Sequence, residues 1–166
     1  MLAAGLSAAA PPPLPTPPPA PLACSVEGPA RVRAGQAATF TLHLYNRGQR
    51  TVQLLTWATP FEPAWFAPWL QVTRGGKVLA YRGAMMKRGD PGAGDYLSVG
   101  AGASASASFS LAPAFDLSLP GRYTLQPQIV LHDLLVGTAE AVPRPRERFQ
   151  PHGLRCGSFS FEVLKP

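Results

Sequence analysis

Two segments of this chain alternate strictly between two kinds of residue, with a period that fits a β-strand. In the first segment, Phe40, Leu42 and Leu44 occupy every second position. In the second, serines recur at every other position between Ser104 and Ser110. Because successive side chains of a strand point to opposite faces, each segment predicts a strand with one buried and one solvated face.

Turn-forming residues separate these segments from other short runs rich in β-forming residues. The chain contains 20 prolines and 16 glycines in 166 residues, and Gly75-Gly76 joins two such runs as a hairpin would. Helical periodicity is absent, apart from one turn near 113–117. The sequence therefore predicts an all-β protein, an antiparallel immunoglobulin-like β-sandwich of about seven strands.

The segment from Asp116 to Tyr123 adds a local signal for this fold. It reads Asp-Leu-Ser-Leu-Pro-Gly-Arg-Tyr and precedes a run with alternating apolar residues. Such a segment is typical of a tyrosine corner, in which the tyrosine hydroxyl donates to a backbone carbonyl a few residues upstream. We expect the Tyr123 hydroxyl to be buried and bonded in this way.

Composition divides the chain into residues 1–23 and residues 24–166. The first part is an apolar leader, similar to the end of a signal peptide, followed by a Pro-rich tract over 11–21. We expect this tract to be a disordered, extended polyproline II spacer, with a Pro-x-x-Pro ligand as the alternative. Residues 24–166 are expected to form the sandwich, and no apolar run is long enough to span a membrane.

The two cysteines flank the expected sandwich domain. Cys24 and Cys156 each precede a strand-like run. The first and last strands of many sandwiches lie parallel and adjacent, so we expect a disulfide between them, with two unrelated thiols as the alternative. A disulfide implies an oxidising compartment, which predicts a secreted or periplasmic protein.

The formal net charge of +6 raises the question of nucleic-acid binding. The basic residues are dispersed, and the densest group is Arg144, Arg146, Arg148 and Arg155. No aromatic ladder accompanies this group, so we interpret it as a solvated basic loop and predict no nucleic-acid partner. The composition, 46% hydrophobic and 14% charged, fits one folded core.

Residues with catalytic chemistry do not form a recognisable pattern. His43, His132 and His152 lack metal-ligand spacing, and there is no Gly-x-Ser-x-Gly elbow or phosphate-binding glycine loop. A Ser-His-Asp triad assembled in space is the alternative that spacing leaves open. We therefore predict no catalytic residue, no metal, no cofactor and no enzymatic activity.

A cluster of aromatic residues lies among prolines in the middle of the chain. Trp57 is expected in or near the core, because it ends a strand-like run. The predicted partner-binding residues are Phe61, Trp65, Phe66 and Trp69, separated by Pro60, Pro63 and Pro68. Aromatic anchors on a proline-stiffened loop lose little entropy on binding. We expect Trp65 and Phe66 to be the exposed pair.

Four segments of the chain carry a resemblance to a known family. They are Leu54–Glu62, Tyr81–Arg88, Ala114–Ser118 and Gly121–Tyr123. In order and spacing they resemble the immunoglobulin-like β-sandwich module that accompanies zinc peptidases of the deuterolysin and peptidyl-Lys metallopeptidase type. The resemblance covers roughly Ser25–Leu131. In that family the module lies ahead of the peptidase domain, in the propeptide region, and no His-Glu-x-x-His motif occurs in this chain.

The resemblance implies a non-catalytic, exported binding module with a protein partner. Its most concrete version is a propeptide-like inhibitor or chaperone of a separately encoded metallopeptidase. We expect the module to be a monomer. The alternative is a surface or carbohydrate-binding module that uses the aromatic loop.

Overall fold

Strands make up most of the regular structure in the described part of the chain. The protein is represented by a computed structural model that describes residues 21–137 and 140–166. These residues contain thirteen β-strands and two short 3-10 helices, Ala93–Asp95 and Arg146–Arg148. The leader and most of the Pro-rich tract, whose disorder was predicted, lie outside the described residues.

The strands are short, and eight of them have four or more residues. In chain order they are β1 Leu22–Glu27, β2 Arg31–Arg33, β3 Thr39–Asn46, β4 Val52–Leu55, β5 Leu70–Arg74, β6 Lys77–Val78, β7 Tyr96–Val99, β8 Ser104–Ser110, β9 Gly121–Pro127, β10 Val130–Leu131, β11 Leu134–Val136, β12 His152–Gly153 and β13 Phe159–Leu164. Strand β1 thus begins two residues before the expected domain start at Cys24.

Two sheets contain more residues than the others and form the layers of the molecule. One has the order β1-β3-β8, and the other has the order β2-β13-β9-β5-β6. A three-stranded sheet, β11-β4-β7, and the pair β10-β12 complete the described strands. Pairing is antiparallel throughout these sheets except between β2 and β13. The structure is therefore an immunoglobulin-like β-sandwich, which confirms the predicted fold class.

The core lies between the two larger sheets. Phe40, Leu42 and Leu44 on β3 are fully buried, as their alternation predicted. The ring of Phe40 lies 4.9 Å from that of Phe161 on β13, measured between centroids. Burying an apolar side chain of this size stabilises the fold by about 1.5–3 kcal/mol. On the outer face, the Ser106 hydroxyl lies 2.8 Å from the ring of His43.

A disulfide bond joins Cys24 on β1 to Cys156 before β13. The two residues form an isolated parallel bridge, and their Cα atoms lie 4.7 Å apart. The bond spans 132 positions of sequence. In the chain-entropy description, closing a loop of this length stabilises the folded state by about 4–5 kcal/mol.

Tyr123 forms the predicted tyrosine corner. Its side chain is fully buried, and its hydroxyl donates to the carbonyl of Leu119 at 2.7 Å. The ring stacks on Phe161 with centroids 5.5 Å apart. The bond fixes the turn that leads into β9, the central strand of the larger sheet.

We predict that Tyr123→Phe destabilises the protein by about 1–2 kcal/mol, because it deletes one buried hydrogen bond and keeps the ring. Urea unfolding followed by circular dichroism measures this loss. The matched control is Tyr45→Phe, since Tyr45 is 41% exposed. If both variants lose the same small amount, the corner contributes nothing to stability.

Candidate binding surface around Trp57

A tight turn follows β4 and presents Trp57. The hydroxyl of Thr59 donates to the carbonyl of Thr56 at 2.6 Å, which closes the turn. Ala58 has a φ of 55°, a left-handed conformation that costs a residue with a Cβ atom about 1–2 kcal/mol. The backbone amide of Ala58 donates to Oε2 of Glu62 at 2.8 Å. The Glu62 carboxylate therefore stabilises a turn that is unfavourable by itself.

The same carboxylate holds a second segment of the chain. Oε1 of Glu62 accepts a hydrogen bond from Arg88, and the two side chains are 5% and 19% exposed. Nearby, the amide of Met86 donates to the carbonyl of Phe66 at 2.9 Å. The bond between Glu62 and Arg88 joins Leu54–Glu62 to Tyr81–Arg88, two of the segments that carry the family resemblance.

Trp57 is the centre of this arrangement. It is 4% exposed, which confirms the prediction that it lies in or near the core. The guanidinium carbons of Arg88 and Arg146 lie 5.2 and 5.5 Å from its ring centroid. The rings of His132 and Phe149 approach it edge-on at 6.3 Å. Two cations over one indole are attracted by its negative face, but they repel each other.

A buried ion pair anchors the loop that carries Arg146. Asp133 is fully buried and Arg144 is 6% exposed. The Asp133 carboxylate accepts two hydrogen bonds from Arg144, one of them 2.8 Å long from Nε, and one from the Gln150 amide at 2.9 Å. Because these partners lie on either side of Arg146 in the sequence, the network fixes its backbone. The interpretation of Arg144 as part of a solvated basic loop is therefore wrong.

The network around Asp133 shifts the pKa of several groups. Burial opposes ionisation of Asp133, but hydrogen bonds from Arg144, Gln150 and Tyr96, with the charge of Arg144, hold its pKa below the usual value. The hydrogen bond to Asp133 raises the pKa of Arg144. Burial, and then the bond that it donates to Asp133, raises the pKa of Tyr96 to about 12. All three groups keep their ordinary charge at neutral pH.

Two of the predicted partner-binding aromatics belong to the core. Trp65 and Trp69 are 8% and 2% exposed, and their rings stack in parallel with centroids 4.5 Å apart. The indole nitrogen of Trp65 donates to the carbonyl of Ser110 at 2.8 Å. The expectation that Trp65 is exposed is wrong, because its large ring is buried against β8 and its polar atom finds a backbone partner there.

The other two predicted aromatics are half-buried. Phe61 packs against the core. The ring of Phe66 lies under Arg88, with 5.5 Å between the guanidinium carbon and the ring centroid. Of the four predicted residues, Phe66 is therefore the one in contact with the Arg88 side chain that also covers Trp57.

We call this region the Trp57 surface. It contains a groove lined by Trp57, Lys87, Arg88, His132, Arg146 and Phe149. Met85 and Met86, which precede Lys87 in the sequence, are 72% and 47% exposed. Sequence reasoning missed these lining residues, apart from the position of Trp57, because they come from three loops that only the tertiary fold brings together. The exposed Met-Met pair beside Lys87 and Arg88 was the available signal.

The described residues contain neither a candidate metal site nor a membrane-spanning helix. Within 21–137 and 140–166, no group of three or more histidine, cysteine or acidic residues is arranged to hold a metal ion. Over the same ranges, no helix is long and apolar enough to cross a membrane.

Comparison with known proteins gives one curated relative. No protein-family model matches the chain. An extracellular protease of Aeromonas hydrophila is 35% identical over 85 residues, which is 51% of this chain and 24% of that protein. The chain thus matches about a quarter of the length of this relative.

Similar solved structures are distant in sequence. The CARDB domain of a Pyrococcus furiosus protein, solved with di-metal ions, has a TM-score of 0.38 and 14% identity, over 87% of this chain and 94% of that one. A PapD-like domain of a human protein has a TM-score of 0.40 and 15% identity, over 93% and 92%. These values are too low to bear on function.

We predict that Trp65→Ala lowers the free energy of unfolding by about 3–5 kcal/mol, because it empties a buried aromatic site. Phe66→Ala should cost clearly less, since its ring is half-buried. Thermal and urea unfolding of the two single variants measure the difference. An unchanged melting temperature in Trp65→Ala would contradict the buried position of this ring.

We also predict a loss of stability in acid that depends on Asp133. Its pKa is lower in the folded protein than in the unfolded chain, where it is about 3.9. The stabilisation is therefore complete above the unfolded value and is lost as the pH falls through the folded value. Carbon-13 NMR titration of the carboxyl groups should show Asp133 titrating below its unfolded value. A midpoint at or above that value would contradict the network.

Proposed function

We propose that this chain is a non-catalytic, exported binding module whose partner is a zinc peptidase of the deuterolysin type. In this proposal it acts like a propeptide, as an inhibitor or chaperone of a separately encoded enzyme. The observation that carries the proposal is the 35% identity over 85 residues to an extracellular protease. The absence of His-Glu-x-x-His from these 166 residues supports a role without catalysis.

The contact is assigned to the Trp57 surface. A binding surface gains most from apolar and aromatic side chains that need little rearrangement. Here the ion pairs Glu62–Arg88 and Asp133–Arg144 hold the loops in place. We assign Phe66 to the contact, with Met85 and Met86 beside it. Phe61, Trp65 and Trp69, also expected to bind, would support the loop from the core side.

Export is supported by the disulfide between Cys24 and Cys156, because such bonds persist in oxidising compartments. A secreted or periplasmic location also agrees with the relative from Aeromonas hydrophila, which is an extracellular protease. We propose that residues 24–166 act as one monomeric domain. The alternative of sugar stacking on Trp65 loses support, because its ring is stacked in the core on Trp69.

The proposal predicts that the full chain binds a purified deuterolysin-type zinc peptidase from the same organism, measured by calorimetry and by inhibition of casein hydrolysis. Met85→Ala combined with Met86→Ala should raise the Kd at least about tenfold, since two apolar side chains lose their contact. The matched control is Val78→Ala with Leu119→Ala, because these apolar residues are 63% and 54% exposed outside the Trp57 surface.

The outcomes of this experiment separate the functional classes. Binding that both double variants retain equally places the contact elsewhere on the module. No binding to the peptidase, together with retention on insoluble polysaccharide, supports the carbohydrate-binding alternative instead.

A further inference from the structure

We propose that the groove of the Trp57 surface binds a short peptide segment that carries a carboxylate beside an apolar side chain. The carboxylate would lie between Lys87 and Arg146, and the apolar side chain would lie toward Met85 and Met86. This inference rests on the proposed function, because it names the chemistry by which the module would recognise its protein partner.

Charge is the first argument. Two guanidinium groups lie over the Trp57 ring, and Glu62 neutralises only that of Arg88. Across residues 21–137 and 140–166, neither Lys87 nor Arg146 has a carboxylate within ion-pair distance. No acidic side chain lines the groove. The groove therefore presents uncompensated positive charge, which a bound carboxylate would neutralise.

The position of Arg146 is fixed before any ligand binds. The Arg146 guanidinium donates to the carbonyl of Arg88. Its contact with the ring of Trp57 also orients the side chain. The Asp133–Arg144 pair holds the backbone on one side of it. A guanidinium that is already oriented loses little entropy when a carboxylate accepts its remaining hydrogen bonds.

The pKa of His132 reflects the same positive charge. It lies on the rim of the groove, and burial followed by the charges of Arg88 and Arg146 lowers its pKa, against the opposing charge of Glu62. At neutral pH the ring is therefore uncharged and can donate or accept a hydrogen bond. This makes it suitable for a peptide amide or carbonyl next to the bound carboxylate.

The remaining walls are aromatic, and this favours a peptide over a polyanion. Trp57 and Phe149 line the groove, whose volume is about 490 Å³. This volume lies in the range of sites for small ligands and single side chains. Acidic residues follow the cations in the sequence, with Asp90 after Arg88 and Glu147 after Arg146, and both are exposed. A long polyanion would meet these carboxylates, whereas a short acidic segment would not.

Two labelled peptides test the proposal with the full chain. The first is fluorescein-Gly-Ser-Glu-Phe-Glu-Leu-Gly-Ser, and the second has glutamine in place of both glutamates. Fluorescence anisotropy at low salt should give a Kd for the first peptide that is at least about tenfold lower, because only it carries the charges that the groove recognises. Equal affinities, or a Kd above about 1 mM for both, would overturn the proposal.

A matched pair of variants separates the groove from the net charge of the chain. Lys87→Gln with Arg146→Gln should reduce binding of the acidic peptide to the level of the neutral one. Lys77→Gln with Arg122→Gln removes the same charge from exposed residues of β6 and β9 and should leave binding unchanged. An equal loss in both double variants would show non-specific attraction and overturn the proposal.

A further variant guards against loss of folding. Arg146 has structural contacts, so the melting temperature of its variant is measured first. Lys87 is exposed, and Lys87→Glu should repel the acidic peptide without lowering the melting temperature. Unchanged binding in a folded Lys87→Glu protein would contradict the proposed site.

Heparin and anionic phosphatidylserine vesicles are titrated in the same assay. Groove-dependent binding of either, without binding of the acidic peptide, would overturn the peptide assignment.

The peptidase measurement tests the proposed function separately. If the peptidase binds wild type and the Lys87→Gln, Arg146→Gln protein equally well, the proposed function stands and this inference fails. If the acidic peptide binds through the groove but the peptidase does not bind, the proposed function fails instead.

Discussion

The carboxylate of Glu62 determines how the loops at the Trp57 surface come together. It is 5% exposed, and an ionised group removed from water needs charged or polar partners. It finds the amide of Ala58 and the guanidinium of Arg88. The first contact stabilises a left-handed turn, and the second brings in a segment from 26 residues away. The indole of Trp57 and the Arg88 guanidinium above it both depend on this single acid.

A second buried carboxylate is also paired with an arginine. Asp133 holds Arg144 as Glu62 holds Arg88, and in each case the positive partner is largely withdrawn from solvent. Removing one member of a buried pair is far more damaging than removing an exposed charge, because the other member is left uncompensated. The two buried ion pairs of the surface are therefore electrically balanced. Lys87 and Arg146, which have no acidic partner among the described residues, line the groove beside them. Arg144 and Arg146 thus have different surroundings within one short loop.

Local patterns predicted the fold well, and tertiary contacts decided the site. The alternation around Phe40 identified a strand because a two-residue period of apolar side chains fits a β-strand. The corner at Tyr123 was predictable because its hydroxyl bonds to a carbonyl only four residues upstream. The prolines around Trp65 interrupt any period, so the sequence offered no basis for deciding which way its ring faces. The prediction that Arg144 is solvated was wrong for another reason. Only the path of the folded chain brings Asp133 next to it as a partner.

The bond between Cys24 and Cys156 has a consequence for any cleavage of the chain by a protease. Nearly every surface loop of the sandwich lies between these two cysteines. A single hydrolysed peptide bond in any of them yields two fragments that remain covalently tethered, while the paired strands keep the cut ends near each other. A nicked molecule is therefore still one particle, and its cleavage would escape notice unless the sample were reduced before electrophoresis.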